Sequence, residues 1–183
     1  MVRKPENWEM ILFPQSSLTP KHLIGKAKYE DENEKLIIDI VWDNEFVINE
    51  RSTLIVTTTK NENFAPVIYV ADRYVNLLSE KEYALTGLWH EIGHIHCGHC
   101  DLDLDPEVMR RGRYEAIFTG SVYYQEKEAD SFAMKCVGKN RMIQFFQYCK
   151  ANRIKAKDTD ANFQLAVEEF NNRISIIKKI KLY

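Results

Sequence analysis

The chain has 183 residues, of which 45% are hydrophobic and 28% charged, and its formal net charge is −2. That balance suits a globular protein with a core, and it lacks the global positive field that draws nucleic acid, so no direct nucleic-acid partner is expected. No apolar run reaches the roughly 20 residues that span a bilayer, and Met1-Val2-Arg3-Lys4 leads into Pro5, Glu6 and Asn7 rather than a signal-like apolar stretch, so a cytoplasmic chain without a membrane partner is expected.

Thr19-Pro20 reads as a helix cap followed by proline at the first helical position, which predicts a short helix to about Tyr29. Three β-branched runs come next, Leu36–Val41, Thr53–Thr58 and Val67–Val70, with Phe46–Ile48 as a further candidate. Their short connections predict a mostly antiparallel sheet. After Val70 the period changes. Ser79-Glu80-Lys81-Glu82 matches a capping box, and a helix from about Glu80 to His96 would bury Leu85, Leu88, Ile92 and Ile95, with Gly98 as its stop. Asp105-Pro106-Glu107 opens a shorter helix. Another runs from about Tyr123 to Val137 before Gly138, Asn140 can cap the next, and Asp158 or Asp160 opens an amphipathic C-terminal helix bearing Leu165, Val167, Phe170, Ile174 and Ile177. The order predicts an α+β fold: a small, mostly antiparallel sheet packed on the helix of residues 80–96, with a helical C-terminal half. A single domain over 1–183 is expected, with a core over about 18–137 and a helical extension over about 140–183.

The chemistry gathers at His90-Glu91-Ile92-Gly93-His94. Helical residues four apart share a face, so both imidazoles can reach one ion, while Glu91 is turned toward a metal-bound water. Neutral imidazoles suit zinc, and a catalytic site takes three protein ligands with one open position. Zinc lowers the pKa of its water to about 7, and Glu91 can accept that water's proton as it attacks a carbonyl carbon. For the third ligand Glu126 ranks first, because Glu126 and Asp130 lie four apart on a helix. One can bind the metal while Asp130 accepts the remaining N–H of a ligand histidine. Glu128 stands about 200° around that helix from Glu126. Cys100, Asp101, Asp103 and Asp105 remain further alternatives.

Together, His90-Glu91-Ile92-Gly93-His94 and Glu126-Lys127-Glu128-Ala129-Asp130-Ser131-Phe132-Ala133 resemble the gluzincin pattern, and more narrowly the ImmA/IrrE family of bacterial metallopeptidases. The resemblance covers about Val67 to Val137. It implies a zincin-like fold in which His90, His94 and Glu126 bind zinc, Glu91 is the base and Asp130 supports a ligand. It also implies a cytosolic protein, of a kind linked to phages and mobile elements, that acts on a protein or peptide substrate such as a repressor-type regulator. Val67–Val70 would then be the sheet edge along which an extended peptide adds. An alternative from another class is a metal-bearing module that binds a transcription factor without cutting it. A third is a catalytically dead fold with a structural metal.

Four of the five histidines fall between His90 and His99, with Cys97 and Cys100 among them. Cys97-Gly98-His99-Cys100 is half of a structural zinc motif, but Cys136 and Cys149 supply no matching pair, and free thiols or metal ligands are expected rather than disulfides. The plainer reading packs Cys97 as a small hydrophobe and leaves His96 or His99 facing solvent. The metzincin pattern fails, because it needs glycine at Cys97 and histidine at Cys100. The connection to Gln125 holds Arg110, Arg111, Arg113, Tyr114, Tyr123 and Tyr124, candidates for a site wall, and one tyrosine could stabilise an oxyanion.

Overall fold

The computed structural model describes residues 5–13, 22–43, 55–58, 66–101, 106–155 and 161–180. The fold is α+β. After a 3₁₀ turn at Pro5–Asn7 come β1 (Trp8–Leu12), β2 (His22–Glu30), β3 (Lys35–Trp42), β4 (Ile55–Thr58) and β5 (Val67–Val70). The helices come after the sheet: α1 (Asp72–Glu80), α2 (Leu85–His96), α3 (Pro106–Phe118), α4 (Tyr124–Val137), α5 (Lys139–Lys155) and α6 (Ala161–Lys179). Among the described residues no helix is long and apolar enough to cross a membrane.

The sheet order is β1-β2-β3-β5-β4. All neighbours are antiparallel except β3 and β5, which run parallel from Asp39 beside Val67 to Trp42 beside Val70. The 24 residues between those two strands leave room for β4 to lie on the far side of β5. Val67–Val70 is therefore an inner strand rather than the sheet edge expected from the resemblance, and β4 ends the sheet order on that side.

Two sequence expectations fail for local reasons. The segment expected to be helical up to Tyr29 is the strand β2, paired with both β1 and β3. Its register slips between Leu23 and Gly25, so Ile24 is buried out of phase with Ala27 and Tyr29. A bulge of this kind masks the period of two that marks a strand. Thr19, Pro20 and Phe46–Ile48 lie outside the described residues.

The single helix expected over 80–96 is instead α1, a 3₁₀ turn at Glu82–Ala84, and then α2. Lys81 is extended (φ −135°, ψ 120°), and the Ser79 hydroxyl donates back to the Asn76 carbonyl at 2.7 Å instead of capping the next turn. The start of α2 is satisfied by a buried phenol. Tyr74 donates to the Ala84 carbonyl and accepts from the Leu88 N–H at 3.2 Å. The helix then ends at His96, and Gly98 takes the left-handed φ of 74° that suits glycine. α3 begins on Pro106, as expected of proline at a first helical position, and Gly138 closes α4 with a φ of 84°.

A continuous apolar cluster joins the sheet and the helices. Trp8, Ile24, Tyr29, Ile38, Ile40, Ile68 and Val70 meet Leu88, Ile92 and Ile95 of α2, Phe132 of α4, Met142 and Phe146 of α5, and Ile177 of α6. Gly93 sets the spacing of the site within this core. A Cβ there would lie 2.9 Å from both the Cα and the carbonyl oxygen of Ala129 on α4, backbone atoms that cannot turn aside. Gly93→Ala is therefore expected to destabilise the fold by about 1–3 kcal/mol, the usual cost of overpacking, read as a lower urea midpoint. An unchanged midpoint would mean that the two helices do not depend on this close approach.

Candidate metal centre

α2 and α4 face one another across Gly93 and Ala129. On α2, His90 and His94 are one helical turn apart, and on α4 so are Glu126 and Asp130. His90, Glu126 and Asp130 are all buried. The His90 Nε2 lies 3.1 Å from the His94 Nε2 and 3.2 Å from the Glu126 Oε2, and the His94 Nε2 is 3.9 Å from the Glu126 Oε1. Two imidazoles and a carboxylate in such a triangle could hold a metal ion. Ligand atoms about 2.0–2.1 Å from a tetrahedral ion stand roughly 3.3–3.4 Å apart, so the observed spacing is of the right size.

The same contacts shift the titration of these groups. Burial and the Arg173 charge oppose a charged His90, yet the hydrogen bonds it donates to Asp130 and Glu126 outweigh them and push its pKa up to about 9. Burial and the neighbouring His90 push His94 down to about 3. Burial favours the neutral form of Glu126, but the hydrogen bond with His90 and the charges of Arg113 and Arg173 hold its carboxyl well below the usual range.

Both rings are also held from behind. The His90 Nδ1 lies 2.9 Å from the Asp130 Oδ1, which fixes that nitrogen as the N–H and leaves Nε2 facing the triangle. His94 turns its Nδ1 to the Nδ1 of His99, 2.9 Å away, and the His99 Nε2 lies 2.8 Å from the Glu128 Oε2. Glu91 comes directly after His90 on α2 and is half-buried.

Other candidates fall outside the triangle. Glu128 is 57% exposed and engaged with His99. Cys100 is half-buried and packs against the core, while Asp103 and Asp105 lie outside the described residues, as does the side chain of Asp101. The plain reading of the helix end also needs correction. Cys97 is exposed rather than packed, His96 accepts from the Trp8 indole at 3.1 Å and stacks near Phe132, and His99 is half-buried, with its side chain turned to His94. Among the described residues, the Cys97–Cys100 segment forms no second metal-binding group.

The sequence gives no site role to Arg173, and it offers Arg113 as a candidate for the site wall, without its partner Glu126. Arg173 of α6, 7% exposed, binds Asp130 through Nε at 2.9 Å and Nη2 at 2.5 Å. Its Nη1 reaches the Glu126 Oε2 at 3.2 Å, and its guanidinium lies over the Phe146 ring, 4.2 Å from the centroid. Arg113 of α3 pairs with the other oxygen of Glu126. The only sequence signal for Arg173 is a charge between Phe170, Ile174 and Ile177 on the apolar stripe of α6. Of the tyrosines considered for an oxyanion, Tyr124 sets its ring edge-on to His99, 6.3 Å between centroids.

No family model, curated protein or solved structure matches the chain.

Proposed function

We propose that this chain is a zinc-dependent peptidase. The observation that carries the proposal is the convergence of buried His90 and Glu126 with half-buried His94, on a helix where the half-buried Glu91 comes next to His90. Two imidazole nitrogens and one carboxylate oxygen are the donor set of a catalytic zinc site that keeps a position open. Bound there, zinc would supply Lewis acidity, polarising a carbonyl and making water acidic near neutral pH.

The chain's own residues account for the rest. His90, His94 and Glu126 would hold the ion, Asp130 keeps His90 in the tautomer that offers Nε2, and Arg173 keeps Asp130 ionised and fixed. Glu91 takes the proton from the attacking water and passes it to the leaving amine. The peptide substrate rests on the motif resemblance. So does the proposal that the target is a repressor-type regulator in the cytoplasm.

The test is direct. Zinc-loaded protein is incubated with a library of proteome-derived peptides, and new termini are read by mass spectrometry. Cleavage that vanishes with a zinc chelator and returns with added zinc supports the peptidase. A zinc-loaded chain that generates no new termini in any library overturns it.

A further inference from the structure

His94 has an outer partner quite different from that of His90. Among the described residues its Nδ1 is partnered by the Nδ1 of His99 rather than by a carboxylate, and behind His99 stands Glu128. For His94 to present a lone pair at Nε2, its proton must sit on Nδ1 and be donated to His99. The His99 Nδ1 is then the acceptor, so the His99 proton sits on Nε2 and is donated to the Glu128 Oε2. Each atom in the chain has one role, and the three assignments agree. Phenol and imidazole edges close it in. The His99 ring is near-perpendicular to Tyr124 (81°) and tilted 62° from His94, at 5.1 Å between ring centroids.

We infer that His99 and Glu128 are positioning residues that fix the tautomer and orientation of His94 as a metal ligand. This rests on the metal-binding reading of His90, His94 and Glu126 and deepens it. His99 is delivered by the short 3₁₀ turn His99–Asp101, which comes after the left-handed Gly98 at the end of α2. Glu128 comes from α4, two residues beyond Glu126 and on a different face, so one helix supplies both a ligand and an outer carboxylate. Asp130 serves the first histidine and Glu128, through His99, the second.

The variants separate this role from a structural one, because the Glu128 side chain is 57% exposed and its removal should leave the fold intact. Metal-free wild type, Glu128→Ala, Glu128→Gln and His99→Phe are titrated with zinc chloride against a chromogenic chelator, and each metal-free protein is melted. Glu128→Ala and His99→Phe are expected to bind zinc about 10–100-fold more weakly, the range seen when an outer partner of a ligand histidine is lost. Glu128→Gln keeps an acceptor for His99 and is expected to recover most of that loss. The metal-free melting temperature of Glu128→Ala should match wild type. Nitrogen NMR of ring-labelled, zinc-loaded protein should place the His94 proton on Nδ1. Affinities of Glu128→Ala and His99→Phe within about twofold of wild type would overturn the inference. So would a Glu128→Gln variant as weak as Glu128→Ala, since charge rather than hydrogen bonding would then be at work. A wild-type chain that binds no zinc would instead sink the metal reading itself, and a normal wild-type affinity tells the two failures apart.

Discussion

Glu91→Gln is expected to keep a full equivalent of zinc and to lose peptide-bond cleavage by about 10²–10⁴-fold, the contribution of a positioned general base. Glutamine has nearly the shape of glutamate and preserves packing on α2, but its amide cannot accept a proton from water. His90, His94 and Glu126 are untouched by the change, so metal content should equal wild type. Zinc analysis and single-turnover cleavage on the same preparation check both halves of this result. Full activity in Glu91→Gln would remove Glu91 from the role of base. If the variant matched wild type in a cellular assay of regulation while His90→Ala failed, a non-cleaving module would be the better account.

The second large effect is on stability. Arg173→Met is expected to destabilise the metal-free chain by about 3–5 kcal/mol, because it leaves Asp130 and Glu126 buried without the cation they share. Methionine fills much of the same space over Phe146, so the loss reports charge more than volume. Asp130 depends on this partner most. Burial raises its pKa, and the Arg173 charge together with the His90 hydrogen bond brings it below the ordinary value. Urea unfolding of the metal-free proteins gives the difference. With zinc bound the deficit should shrink, since the ion supplies Glu126 with a positive neighbour. A change under about 1 kcal/mol would show that Arg113 alone compensates Glu126, and that Asp130 needs no fixed partner.

The parts of this site that are legible in the sequence are the local ones. His90 with His94, and Glu126 with Asp130, declare themselves because helical spacing places residues four apart on one face. What joins those pairs is not local. Gly93 admits the α4 backbone at Ala129, and nothing in the residue itself marks it as a contact rather than a spacer. Arg173 stands 43 residues from Asp130, and an arginine on an amphipathic helix ordinarily signals solvent. Glu128 reads as a rival ligand from its place on α4, yet its partner His99 comes from a turn whose path depends on Gly98.

The sheet divides in the same way. β3 and β5 are visible as β-branched runs. β2 is hidden by its bulge, and β1 by a segment whose alternation, Trp8-Glu9-Met10-Ile11-Leu12, breaks down after three residues. The inner position of β5 comes from its parallel pairing with β3, a long-range choice that connection lengths do not reveal.

Everything chemical here depends on one ion at His90, His94 and Glu126. The most direct test is calorimetric titration of zinc into the metal-free chain, with His94→Ala alongside. One tight equivalent is expected in wild type and none in His94→Ala. Equal zinc binding by the two proteins, or no tight binding by wild type, would contradict it.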